Sequence, residues 1–155
     1  MRRRGEGKGK LGISIGDPML GCYDIPMRTR YDDIAPYLTK DGSEIRELLH
    51  PTRHGGRNQS LAEATVPAGT RTLLHRHRFE EIYHVTAGTG RMTLGEACFM
   101  VAPGDSVLIS PGTPHCIEAC GDATLRILCC CSPAYSHDAT ELLDDPTPDM
   151  PERSG

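Results

Sequence analysis

No tryptophan occurs in this 155-residue chain, and tyrosine and phenylalanine bring the aromatic share to only 5%. An aromatic platform for stacking bases is therefore not expected. No apolar run approaches the roughly 20 residues of a membrane-spanning helix. The longest, around Leu125–Cys131, is interrupted by Arg126. No excess of positive charge exists either. Seventeen basic residues face twenty-one acidic ones, for a formal net charge of -4. A broadly basic surface for nucleic acid is not expected on that balance, although a local basic patch stays open, and neither nucleic acid nor membrane is expected as a partner. The seven cysteines contain no CxxC pair, and no apolar signal segment follows Met1-Arg2-Arg3-Arg4-Gly5. Reduced thiols, buried as small hydrophobes in a cytoplasmic protein, are the expectation.

What is present divides into four stretches. Residues 1–16 read as a flexible basic tail, with almost nothing to bury. Residues 17–59 read as an N-terminal arm with first strands, which pack on something larger. A short helical turn is expected near Asp32–Tyr37. Residues 60–132 form a barrel core, and residues 133–155 a C-terminal extension ending in an acidic tail. The extension offers one short helix over Ser136–Leu143.

The hydrophobic period changes at Ile45. Ile45–Leu49, Ser60–Val66, Arg71–His77, Glu81–Thr86, Arg91–Leu94, Cys98–Val101, Val107–Ser110, His115–Glu118 and Leu125–Cys131 all suit strands. Turn residues separate them, as in Pro67-Ala68-Gly69, Pro103-Gly104-Asp105 and Pro111-Gly112-Thr113-Pro114. Many short strands at this spacing predict an all-β antiparallel sandwich or barrel. The polar, glycine-rich run 51–59 is either a surface loop or a flap over the barrel mouth.

The informative side chains are His75, His77, Glu81 and His115. His75 and His77 are two apart on one strand and share a face. Glu81 starts the next strand after a very short turn. His115 follows the rigid Pro111–Pro114 turn. Three imidazoles and a carboxylate suit one divalent transition metal, with positions left for water or substrate. Two histidines at this spacing also occur as ordinary half-buried residues, so the spacing alone leaves both readings open.

The glycines around these residues carry a resemblance. Gly69, His75, His77, Glu81 and Gly88 fit the pattern G-x5-H-x-H-x3-E-x6-G, and Gly104, Gly112 and His115 fit G-x5-P-x-G-x2-H-x3-N. Ser110 stands where that second pattern has its first proline, and Ala119 where it has asparagine. On these two motifs the chain resembles the cupin superfamily, over roughly Ser60–Cys131. The resemblance implies a double-stranded β-helix, or jelly roll, with His75, His77, Glu81 and His115 as metal ligands. Family members hold several metals in this shell. Iron or manganese is placed first here, then nickel, copper or zinc.

Strand parity extends the site. Tyr83 shares the face of Glu81, where its hydroxyl is placed to orient a bound water or donate to substrate, or else to serve as a core tyrosine. Arg71 shares the parity of His75 and His77, where it would grip a substrate carboxylate or else lie in solvent. Retention of Glu81 sets the chain apart from thiol dioxygenases, which use three histidines. The expected function is a metal-dependent enzyme acting on a small organic molecule, with an oxidoreductase or dioxygenase placed ahead of an isomerase or cyclase. A non-catalytic small-molecule or sugar-binding cupin is the other class. A regulator would need a helix-turn-helix, for which the arm is too short and proline-interrupted. The arm's unhoused hydrophobes suggest a homodimer, with the arm added to a neighbour's sheet.

Overall fold

The computed structural model describes residues 28–144. The expected basic tail 1–16, the arm residues 17–27 and the acidic stretch from 145 lie outside the described residues, as does Cys22.

Among the described residues, eleven strands form two antiparallel sheets. They are β1 (Tyr37–Leu38), β2 (Glu44–Leu49), β3 (Ser60–Val66), β4 (His75–His77), β5 (Glu80–Ala87), β6 (Thr89–Leu94), β7 (Ala97–Val101), β8 (Ser106–Ile109), β9 (His115–Cys120), β10 (Leu125–Ser132) and β11 (Thr140–Leu142). One sheet runs β1-β2-β3-β10-β5-β8 and the other β11-β4-β9-β6-β7. The chain is thus an all-β jelly-roll barrel, as its short, turn-separated strands predict. Alternation is strict in β10 and holds in β5 as far as Val85, with every second residue buried. Period-2 patterning of this kind fixes which face enters the barrel. The core between the sheets is built from Val66, Val85, Met92, Ile109, Ile117, Leu125 and Ile127. Each such side chain contributes about 1.5–3 kcal/mol relative to exposure.

Four expectations change. The helical turn of the arm is a 3-10 turn at Tyr31–Asp33 that overlaps only the start of the expected Asp32–Tyr37 stretch, and β1 follows at Tyr37. The described part of the arm is housed within its own chain: β2 pairs antiparallel with β3, covering that strand's edge. Run 51–59 opens with a single helical turn, Pro51–His54, capped by the His50 side chain and by Gly55 in the left-handed region. The helix expected over Ser136–Leu143 is instead a 3-10 turn, His137–Ala139, followed by β11. An eight-residue helix is marginal in water, whereas β11 satisfies its backbone on the open edge of β4.

The strand expected over Arg71–His77 is also broken. Only β4 is regular; before it, the Thr72 amide donates to Ile117, that of Leu73 to Asp41 and that of Leu74 to the Asp144 carboxylate. Changing partners at each step destroys the alternation, so Thr72 is buried and Arg71 exposed. Cysteine burial is mixed. Cys116, Cys129 and Cys131 are buried thiols, but Cys98 and Cys130 are exposed. Cys129 and Cys131 point inward and Cys130 outward, as alternation requires. Among the described residues no helix is long and apolar enough to cross a membrane.

The motif glycines serve two separate ends. Gly69 has φ +72° and open space where a Cβ would sit. Gly88 has φ +74°, and a Cβ there would meet the Thr124 carbonyl oxygen at 2.5 Å and Leu125 Cα at 2.9 Å. Gly69→Ala should therefore cost about 1 kcal/mol for the dihedral alone, and Gly88→Ala about 3 kcal/mol, because β5 must also move off β10. Thermal melts of the two variants check this; equal losses would show that the close approach at Gly88 is unimportant.

Candidate metal centre

β4, β5 and β9 bring the four sequence-marked residues together. His75 pairs directly with His115 across β4 and β9. The Gly112 amide donates to the His77 carbonyl at 2.7 Å, anchoring the turn that delivers His115. His75, His77, Glu81 and His115 are all buried, with His115 fully so. The ligand nitrogens of the three histidines lie within 4.8 Å of one another, which makes them a cluster able to hold a metal ion. Glu81 adjoins two of them. Its Oε2 is 3.2 Å from His77 Nε2 and 3.4 Å from His115 Nε2.

The other ring nitrogens decide what these contacts mean. His75 Nδ1 lies 2.7 Å from the Leu73 carbonyl and His115 Nδ1 2.9 Å from the Thr113 carbonyl. A carbonyl only accepts, so both Nδ1 atoms carry the proton. His77 Nδ1 lies 3.0 Å from the Thr140 hydroxyl, which already donates to the Ser136 carbonyl at 2.9 Å. His77 Nδ1 is therefore a donor too. In each neutral ring Nε2 is then left with its lone pair, aimed at the centre. Burial above all lowers the pKa of His75 and favours that neutral form. Phe79 stacks on His77 at 4.5 Å and fixes its ring plane.

Glu81 is an anion here. Burial opposes its charge, and only positive charge on the His115 and His77 side, whether a proton or a metal ion, outweighs burial and holds its pKa down to about 2. The Cys131 thiol donates to Oε1 at 3.3 Å. Glu81 Oε2 and His115 Nε2 have no hydrogen-bond partner and are buried. Facing lone pairs at this distance in a dry site repel, and a cation between them removes the conflict. The donor set, three imidazoles and a carboxylate, suits a divalent transition metal.

A narrow cavity of about 40 Å³ opens beside this cluster. Ala62, Ala64, Val66, Ile117 and Ile127 give it apolar walls. Tyr83 lines it, as parity predicts, with its ring edge-on to His115 at 5.9 Å. Burial, then the charge of Glu81, raises the Tyr83 pKa well above its usual value, so it is a phenol and a donor. Arg71 does not line the cavity. Its guanidinium sits 3.1 Å from Asp144 and 3.8 Å from Cys116 Sγ. No residue of run 51–59 lines it either.

Residues without motif spacing complete the walls. Asp41 and Glu47 come from the arm, Tyr135 and Thr140 from the C-terminal extension. Thr140 had no signal in the sequence, because its role depends on β11 lying beside β4.

A family model described as a cupin domain matches residues 62–131. The chain belongs to the cupin superfamily. This cupin is 56% identical over 119 residues to the uncharacterized protein MJ1618 of Methanocaldococcus jannaschii, covering 76% of this chain and 95% of that one. Among solved structures it is similar to the polyketide cyclase RemF from Streptomyces resistomycificus, at 21% identity and a TM-score of 0.66, over 76% of this chain and 85% of that one. It is also similar to oxalate decarboxylase from Bacillus subtilis, at 22% identity and a TM-score of 0.65, over 76% of this chain. The cupin spans about a third (32%) of that decarboxylase chain. At these identities the two structures share its fold.

Two motif departures leave the cupin turns intact. The Gly69 amide donates to the Ala119 carbonyl and the Ala119 amide to Thr70, so backbone alone closes the place where the pattern has asparagine. The Thr113 amide donates to the Ser110 carbonyl, which needs no proline.

Thr140→Val keeps the side chain's volume but leaves His77 Nδ1–H without an acceptor. Metal affinity should fall about 10–100-fold. Cobalt(II) titration against a colorimetric chelator measures it, and an unchanged affinity would contradict the role of Thr140.

Proposed function

We propose that this cupin is a metal-dependent enzyme acting on a small, uncharged organic molecule, with dioxygen as co-substrate. The observation that supports it most is the buried cluster of three imidazoles, each with Nδ1 held by the protein and Nε2 left toward a largely apolar cavity. Iron or manganese is the metal put first, because both suit nitrogen and carboxylate donors and tolerate open positions. Such a metal supplies a Lewis-acidic and redox-active position for a substrate oxygen.

The chain's own groups define the rest. Neither lysine nor arginine lines the cavity, whereas Asp41 and Glu47 do. That charge pattern disfavours a carboxylic acid and favours a phenol, catechol or enol. Arg71 is accordingly withdrawn as the grip on a substrate carboxylate. Tyr83 is placed to donate a hydrogen bond to a substrate oxygen, and the apolar walls exclude water from the reacting molecule.

Isomerase or cyclase chemistry is the second reading. It would use the same polarised oxygen, with Tyr83 as proton donor, and RemF, a polyketide cyclase, shows that the shared fold accommodates such a reaction.

The test joins metal content to oxygen uptake. Protein purified without chelator should hold about one metal per chain, and His75→Ala/His115→Ala should hold none. The loaded protein should consume oxygen with some member of a panel of neutral catechols, phenols and enolisable ketones. Conversion without oxygen uptake would replace the oxygenase reading by isomerase or cyclase, and binding without conversion would leave a binding module.

The same reading includes a homodimer. Leu49, Leu61, Cys130, Ile82 and Leu108 are cross-strand neighbours in one row over the outer face of the six-stranded sheet. Leu108 is 56% exposed and Ile82 40%. A row of this kind is suited to meeting its own copy. Small-angle scattering at micromolar protein should give twice the chain mass; a single-chain mass contradicts the dimer.

A further inference from the structure

Asp41 has no motif spacing, lies in the turn between β1 and β2, and is buried. Its Oδ1 is fully engaged. The Thr39 hydroxyl donates to it, as do the Ser43 hydroxyl at 2.8 Å and the Ser43 amide at 3.1 Å. The turn itself is fastened. The Thr39 amide donates to the Ser43 carbonyl at 3.0 Å, Gly42 takes φ +86°, and the Leu73 amide donates to the Asp41 carbonyl at 2.7 Å. That last bond ties Asp41 to the residue whose carbonyl orients His75.

The other oxygen, Oδ2, lies 3.8 Å from His75 Nε2. Because His75 Nδ1 carries the ring proton, this is again a carboxylate oxygen facing a lone pair. Glu81 is built the same way. Its Oε1 is held by Cys131, and its Oε2 faces His77 and His115. Each of the three imidazole Nε2 atoms thus faces a carboxylate oxygen: two face Glu81, and the third faces Asp41. Each carboxylate has one oxygen fixed by protein donors and one turned to the cluster.

We propose that Asp41 is a second carboxylate ligand of the metal centre, delivered from the arm to the side of His75. The inference rests on the metal-dependent reading above. Five protein donors, three nitrogens and two oxygens, favour a five- or six-coordinate ion over tetrahedral zinc. Two carboxylates also neutralise a divalent ion, which matches a cavity selecting uncharged molecules.

The test uses the full chain and cobalt(II). Asp41→Asn keeps the side chain's shape and the acceptor for Thr39 and Ser43. Its cobalt(II) affinity, by chelator competition, should fall at least about tenfold, and its visible absorption should shift as one donor is lost. Glu47→Gln removes a different buried carboxylate of the same cavity wall and should leave both readouts unchanged. An Asp41→Asn variant with wild-type affinity and spectrum would overturn the assignment, and so would an equal loss in Glu47→Gln, which would mean general charge alone. Wild-type protein with the intense absorption of tetrahedral cobalt(II) would overturn it without reference to any variant. If the wild-type protein takes up no metal, the metal-dependent reading fails and this inference with it. If it takes up metal and Asp41→Asn does not differ, only the inference fails.

Discussion

Three imidazole lone pairs converge on one point inside this barrel, and carboxylate oxygens face them from two sides. Such an arrangement is self-repelling in a dry interior. It needs a positive charge at its centre, and most of the surrounding structure serves to keep it from relaxing. Backbone carbonyls of Leu73 and Thr113 hold the protons of His75 and His115 on Nδ1. Thr140 does the same for His77, and Cys131 pins one oxygen of Glu81. A free imidazole would turn or change tautomer to escape; these rings are prevented from doing so. Preorganisation of this kind lets a metal bind without reordering its ligands.

The fold provides the enforcement at low cost. Period-2 alternation commits Glu81 and Tyr83 to the interior together, since reversing one would reverse the whole strand. The short turns do the rest: only Arg78 and Phe79 join β4 to β5, and Gly112 at φ +79° closes the turn that leads into β9. The arm and the C-terminal extension then close the remaining edges. Both contribute to the site as well as to the sheet: the arm brings Asp41, and the extension brings Thr140 and Tyr135.

Much of this was legible in the residues. The strands from Ser60 to Cys131 follow from alternation and turn chemistry, and the four sequence-marked residues follow from their spacing between glycines. The parity argument placed Tyr83 correctly because β5 is regular. It failed for Arg71 because the chain between Thr72 and Leu74 changes hydrogen-bond partner at each residue, which no count of alternation can register. Thr140 and Asp41 were invisible for a related reason. Each acts through long-range pairing, one across β11 and β4 and the other from a turn held to Leu73. The short helix expected after Pro133 missed β11 for the same cause, since an unfilled strand edge outweighs weak local helix preference.

The central claim is that the three Nε2 atoms and Glu81 Oε2 surround one metal ion. Anomalous diffraction answers it most directly, on crystals of protein prepared without chelator, with data collected at the absorption edge of the metal found by elemental analysis. The account predicts one strong peak per chain, within about 2.0–2.2 Å of those four atoms. A peak elsewhere, or none at this position in metal-loaded protein, would contradict it.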